Sequence, residues 1–280
     1  MAIYVTSDAH GHVRALDRAL ELAAPGSDDT VYVLGDMIDR GPDPLGVVRT
    51  VQSLPNVHVL MGNHERLMLD ALLGTDDLDI ATWDMNGGWA TSAQLDGLPR
   101  QEFLDFLDWV QALPLYDVVE ASARRFILVH AGIDSAAARA HLLEAGVDVS
   151  GGRGADAAST DTLLDMLAHQ SAEDLLWIRA PFWGEATGLV GADGSGPVVI
   201  AGHTPSISLA RYSDRMENSG LDEDEAHGII VPVGATDETA GVPDRFDIDC
   251  SAATGCEFGA VGVMRLDDGA TWYAKVQPDE

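Results

Sequence analysis

The sequence predicts an α/β fold, and three observations carry that expectation. Apolar runs at 2–8, 31–36 and 57–63 alternate with stretches of helical periodicity, a βαβαβα order that implies a parallel sheet with helices packed on it. The chain has 280 residues and is 46% hydrophobic, enough to build a large core. From Val198 onward, short apolar runs split by turns replace the helices, so the last third reads as β-rich.

The elements follow in order. "AIYVTSD" (2–8) is a buried strand, and "VRALDRALELAA" (13–24) sets Val13, Leu16, Leu20 and Ala23 at helical spacing before Pro25 and Gly26 stop it. "VYVLGD" (31–36) is the second strand. "DPLGVVRTVQSL" (43–54) is a helix with Asp43 as N-cap and Pro44 at its first position. "VHVLMGN" (57–63) and "HERLMLDALLG" (64–74) complete the pattern. Residues 75–114 read as a mainly helical insertion, with "NGG" (86–88) as a break. "LYDVVE" (115–120) and "RFILVHAG" (125–132) are paired strands. Residues 135–178 are helix or loop, with a flexible "GGRGADAAS" at 151–159. The later strands are "VVIAGH", "GIIVPVG", "RFDIDC", "FGAVGVMRL" and "TWYAKV", the last two joined by a turn at "DDG" (267–269). "ENSGLDEDEAHG" (217–228) reads as a solvated acidic loop. With neither an internal repeat nor a linker, residues 1–280 are expected to form a single domain.

Charge excludes several functions. Sixteen basic residues face 46 acidic ones, a formal net charge of −30, and a single lysine, Lys275, is among the sixteen. Such a surface repels nucleic acid and anionic membranes. An acidic, arginine-preferring proteome and adaptation to high salt explain this composition equally well. Either way, an anionic substrate needs a local cationic site that overrides the global field. No run approaches about eighteen uninterrupted apolar residues, so no membrane span is expected. The first residues carry no basic segment or cleavable apolar segment, and Cys250 and Cys256 read as reduced thiols, which together suggest a cytoplasmic protein.

The strand ends hold the chemistry. The first finishes in "SDAHGH", the second in "GDMIDRG", the third in "GNHE", and two later ones in "VHAG" and "AGHTP". Singly, each is an ordinary turn or helix cap. Together, five apolar runs deliver Asp, Asn or His beside glycine at the edge where α/β sheets bind ligands. Carboxylate, amide oxygen and imidazole without thiolate form a donor set for hard-to-intermediate divalent ions.

In this combination and order, the motifs resemble the calcineurin-like metallophosphoesterases, and more narrowly the bacterial PPP-type serine/threonine protein phosphatases. The resemblance runs from residue 8 to about 205, and "DIDCSAATG" is similar to the family's closing segment. It implies two packed mixed sheets flanked by helices, in αββα layers, with two divalent ions at the sheet edge; manganese is favoured, with iron or zinc as alternatives. By resemblance, Asp8 and His10 would hold the first ion, Asn63, His130 and His203 the second, and Asp36 would bridge them. A bridging carboxylate can space two ions roughly 3.5–4 Å apart, which makes hydroxide from water at neutral pH for direct in-line attack on phosphorus.

Asp39 would orient the ring of His64 and favour its protonated form, and His64 would give a proton to the departing alkoxide. Arg40 offers a planar fork to phosphate, against the plainer reading of a surface ion pair. Arg179, in "LLWIRAPF", is similar to a W-x-R segment of bacterial relatives and reads as a second phosphate clamp or as a helix-end arginine covering apolar surface. His12 reads as an outer or solvent-facing residue, and Trp83 with "NGG" as either pocket wall or core.

Met61 stands where protein phosphatases often carry arginine, and Ser251 where bacterial relatives often show glycine. These departures bear on substrate class more than on chemistry, and the resemblance implies a phosphomonoesterase for phosphoserine or phosphothreonine, acting on a phosphorylated protein or a small phosphoester. Hydrolysis of dinucleoside polyphosphates such as diadenosine tetraphosphate is the alternative, although those enzymes typically lack the aspartate supplied here by Asp39. An inactive metal-binding scaffold is the remote reading.

Overall fold

The computed structural model describes all 280 residues. Strand β1 (Ile3–Thr6) leads to helix α1 (Val13–Ala23), which ends as Ala24 turns left-handed at φ +47° and returns its N–H to Leu20. Strand β2 (Thr30–Val33) leads to α2 (Pro44–Ser53), where the Asp43 carboxylate accepts from the Gly46 N–H at 3.0 Å. Strand β3 (Val57–Val59) and α3 (Asn63–Leu73) follow. The helical segment comprises α4 (Asp77–Trp83), α5 (Trp89–Leu95) and α6 (Arg100–Gln111). The break expected at 86–88 falls in the wide turn Asp84–Gly88 between α4 and α5, where Gly87 leaves helical geometry at φ +98°.

Strands β4 (Tyr116–Ala121) and β5 (Arg124–Val129) pair antiparallel, as expected. Helices α7 (Ser135–Glu144), α8 (Thr160–Ala168), α9 (Ala172–Trp177) and α10 (Ala180–Gly184) come next. Strand β6 (Val198–Ala201) is followed by a short pair, β7 (Leu221–Asp222) and β8 (His227–Gly228). That hairpin lies inside the stretch read as a plain acidic loop, closed by Asp222, whose carboxylate accepts from the N–H groups of Asp224 and Glu225. Strands β9 (Val231–Val233), β10 (Arg245–Asp247), β11 (Ala260–Arg265) and β12 (Thr271–Lys275) complete the chain.

Two five-stranded mixed sheets result, in the orders β12-β11-β1-β2-β3 and β4-β5-β6-β10-β9. In the first, the βαβαβα strands β1, β2 and β3 run parallel as expected, and the sheet as a whole is mixed. β11 returns antiparallel beside β1, because a hairpin from the far end of the chain covers that edge. The parallel parts are β1, β2 and β3 in one sheet and β5, β6 and β10 in the other.

Strand alternation explains the layers. Val5, Tyr32, Leu34, Phe126, Leu128, Val198 and Ile200 point between the sheets. Tyr4, Val31 and Val33 face the helices of the first half, while Ile127, Val129, Val199 and Ala201 face those of the second. Strands covered on both faces read as unbroken apolar runs. No helix is long and apolar enough to cross a membrane.

The middle layer should dominate stability. Leu128 is wholly buried there, so Leu128→Ala is expected to cost about 2–5 kcal/mol. Leu143, 59% exposed, should cost less than about 0.5 kcal/mol when cut to alanine. Urea unfolding measures both, and equal losses would contradict the layering.

Candidate functional site

Six parallel strands end at one place. Past β1 lie Asp8 and His10, past β2 Asp36, Asp39 and Arg40, and past β3 Asn63 and His64; past β5 comes His130, past β6 His203, and past β10 Asp249. The chain leaves these strands abruptly. Asp8, His10, Asp36, Asp39, Arg40 and His203 all hold φ between +43° and +70°, the left-handed region that side-chain-bearing residues rarely occupy. Strain of this kind persists where the surroundings over-determine it, and it concentrates at functional sites. Two glycines let the acids approach. A Cβ at Gly62 would fall 2.2 Å from Asp36 Oδ1, and one at Gly202 would fall 2.1 Å from Asp8 Oδ2.

The resulting cluster has two lobes that share Asp36. His10, Asp36 and His64 each offer a ligand atom within 4.8 Å of the others, and so do Asp36, His130 and His203. Asp36 Oδ2 faces His10 Nε2 at 3.6 Å, and its Oδ1 faces His130 Nε2 at 3.5 Å. These gaps are long for hydrogen bonds, yet they suit neighbouring ligands on an ion bound at about 2.0–2.2 Å. Asn63 Oδ1 lies 2.8 Å from both His130 Nε2 and His203 Nδ1. The Asp8 carboxylate accepts the His203 backbone N–H at 3.1 Å.

Backbone carbonyls set the imidazole tautomers. His10 Nδ1 donates to Ile38 O at 3.0 Å and His130 Nδ1 to Leu34 O at 2.7 Å, which leaves each Nε2 bare toward the cluster, as metal-ligating histidines are held. His203 Nε2 and Asp247 Oδ2 are buried without a hydrogen-bond partner. Burial, then repulsion from Asp249, raises Asp8; burial, then Asp8, raises Asp36. Burial also presses His130 down to about 4, with Arg179 adding to the effect. A site of protonation-averse imidazoles and ionisation-averse carboxylates is one that divalent cations would relieve, and the oxygen and nitrogen donors fit such ions.

The residues expected to act on substrate stand beside this cluster. His64 Nδ1 meets Asp39 Oδ2 at 2.7 Å, and Arg40 reaches His64 Nε2 at 2.9 Å. Arginine only donates, so Nε2 accepts and the ring proton sits on Nδ1. The contact expected between Asp39 and the His64 ring is present, and it holds the ring from Nδ1. Burial, then the fields of Arg40 and His130, pushes His64 well below the ordinary histidine value. Asp39 is itself pushed up to about 7 by burial, against the hydrogen bonds of Thr91 and Trp83.

Arg179 stands at the entrance to α10, and its field reaches His130 and His203, whereas that of Arg40 reaches His10 and His64. Both arginines thus lie near enough to act on the cluster's charges. His12 is buried at the N-terminus of α1 and joins neither lobe, so it is not solvent-facing. A third convergent group, His141, Asp165 and His169, lies on the exposed faces of α7 and α8, away from these strand ends.

Glu65, Thr91 and Asp249 were not singled out from the sequence, and Trp83 was read there only as pocket wall or core. Glu65 is buried and accepts the N–H groups of Asp36, Met37 and Gly62, each at 2.9 Å, tying the β2 loop to the start of α3. Its place in "GNHE" was the available signal. Trp83 Nε1 donates to both Asp39 oxygens at 3.0–3.1 Å, and Thr91 Oγ1 donates at 2.5 Å. Asp249, raised to about 6 by burial, was hidden in a run that reads as strand.

A fold of two mixed sheets with a polar, cation-demanding cluster at their shared edge defines a metal-dependent hydrolase class. The chain belongs to the calcineurin-like phosphoesterases, whose family pattern matches residues 1–230. It is 32% identical over 136 residues to the symmetrical bis(5'-nucleosyl)-tetraphosphatase of Paracidovorax citrulli, and 28% identical over 136 residues to that of Aggregatibacter actinomycetemcomitans. Each match covers 48% of this chain and 45% of the relative, so it spans less than half of those proteins. A solved structure provisionally described as a diadenosine tetraphosphatase shares the fold at TM-score 0.54 and 17% identity, over 99% of this chain and 94% of its own.

Asp36→Asn should reduce bound manganese to below one ion per chain, because an amide cannot share negative charge between two cations. Elemental analysis after manganese loading measures this. Two ions retained would contradict the shared position.

Proposed function

We propose that this chain is a metal-dependent phosphomonoesterase for alkyl phosphates, with phosphoserine and phosphothreonine side chains as its substrate class. The observation that supports this reading is the chain of contacts from Asp39 through His64 to Arg40. Two divalent cations, manganese before iron or zinc, held by Asp8, His10, Asp36, Asn63, His130 and His203, would supply Lewis acidity toward phosphoryl oxygens and toward water.

The chain's own groups do the remainder. Arg40 and Arg179 grip phosphate oxygens, Arg40 in a planar fork. As Arg40 turns to the phosphate, it releases His64 Nε2, which can then take a proton while Asp39 holds the ring from Nδ1. The imidazolium faces the leaving oxygen and is placed to give it that proton. A serine or threonine alkoxide is too basic to depart without that proton.

Hydrolysis of dinucleoside polyphosphates is the second reading, favoured by the names of the relatives. Its leaving group is already a stabilised phosphate anion and needs little protonation. A buried aspartate held by Trp83 and Thr91 to orient His64 is then a costly feature with little chemical return.

The test compares a phosphoserine peptide, nitrophenyl phosphate and diadenosine tetraphosphate with added manganese. The peptide should give the highest kcat/KM of the three. His64→Asn should lose about 10²–10⁴-fold on the peptide and distinctly less on nitrophenyl phosphate, whose leaving group is a stable anion, with metal content unchanged. A preference for the tetraphosphate, or equal losses on the two monoesters, would overturn the reading.

A further inference from the structure

The turn that carries Met85 is fastened to the phosphate-binding arginine. The Arg40 backbone N–H donates to Gly87 O at 3.2 Å, and Arg40 Nε donates to Asn86 O at 3.4 Å. Gly87 sits at φ +98°, and a Cβ there would come 2.8 Å from Arg40 Cγ, so glycine is what allows the turn to close on Arg40. The same turn holds two large apolar side chains out in solvent, Met85 at 86% exposure and Trp89 at 62%. With Arg40 and Ala253, they line a cleft of about 320 Å³. Trp89 also borders a second cleft of about 480 Å³, whose charged residues are Asp77, Asp84 and Asp96, with no lysine or arginine among them.

We infer that Met85 and Trp89 form a substrate subsite for a peptide flank in which an apolar side chain lies next to the phosphorylated residue and a basic one lies beyond it. This rests on the phosphomonoesterase reading above. With phosphate on Arg40, the neighbouring side chain falls onto Met85 and Trp89, which line the same cleft as Arg40. The next residue reaches the acidic cleft, where a cation gains three carboxylates and the face of Trp89. A polyphosphate chain would instead bring its anions to that rim, so charge favours the peptide over a nucleotide.

The experiment compares two phosphoserine peptides of equal length. In one, the phosphoserine is flanked on both sides by leucine and then arginine; in the other, by glycine and then glutamate. Wild-type kcat/KM should favour the first by about tenfold or more. The preference should shrink as ionic strength rises. Trp89→Ala should collapse the ratio and Asp84→Lys should reverse its ionic part. A purely structural role for the turn would lower both rates together and leave the ratio in place.

Equal kcat/KM for the two peptides overturns the subsite while leaving the phosphomonoesterase reading intact, and so does a ratio that survives both substitutions. Turnover of neither peptide removes both. A Trp89→Ala loss confined to diadenosine tetraphosphate would reassign the subsite to a nucleobase.

Discussion

The structure is organised around carboxylates buried against one another. Asp8, Asp36, Asp247 and Asp249 are almost sealed from water, and burial raises every one of them, with neighbouring acids adding to the effect on Asp8, Asp36 and Asp247. The imidazoles of His10, His130 and His203 are pressed the other way. Isolated ions in such a setting are strongly disfavoured. Bound cations reverse that balance, because they are the largest local charges and favour both carboxylate and neutral imidazole. The family's metal dependence is therefore what this arrangement of side chains demands.

The two sheets make that crowding possible. Three parallel strands in each deliver their carboxyl ends to one edge, and the chain turns away through left-handed residues instead of continuing. Glu65 holds three backbone N–H groups in place, which fixes the β2 loop against the α3 terminus so that Asp36 presents one oxygen to each lobe. Ser251, standing where bacterial relatives often have glycine, adopts φ +66°, a conformation that glycine takes without strain.

Much of this was legible in the sequence, for a physical reason. Asp, Asn and His beside glycine at the ends of five apolar runs drew attention as a set, the family resemblance picked out Asp8, His10, Asp36, Asn63, His130 and His203, and the structure brings these six to one sheet edge. The capped start of α2 at Asp43 and Pro44 was equally local. What escaped depends on distance along the chain. The hydrogen bonds of Trp83 and Thr91 to Asp39 join residues 44 and 52 positions apart, and no periodicity encodes them. The β11–β12 hairpin meets β1 from the other end of the chain, so the βαβαβα pattern shows the parallel strands but not which strand pairs beside β1. The partner of His64, Asp39, is visible in sequence, whereas the burial that lowers His64 is not.

The central claim is that two cations relieve this buried charge. Titrating the metal-depleted chain with manganese, while following both bound metal and the unfolding midpoint, tests it most directly. The account predicts uptake of two ions per chain and a rising midpoint, with a stabilisation of about 2.7 kcal/mol for each site once free metal reaches a hundredfold excess over its Kd. Uptake of fewer than two ions, or two ions bound with no change in the midpoint, would contradict it.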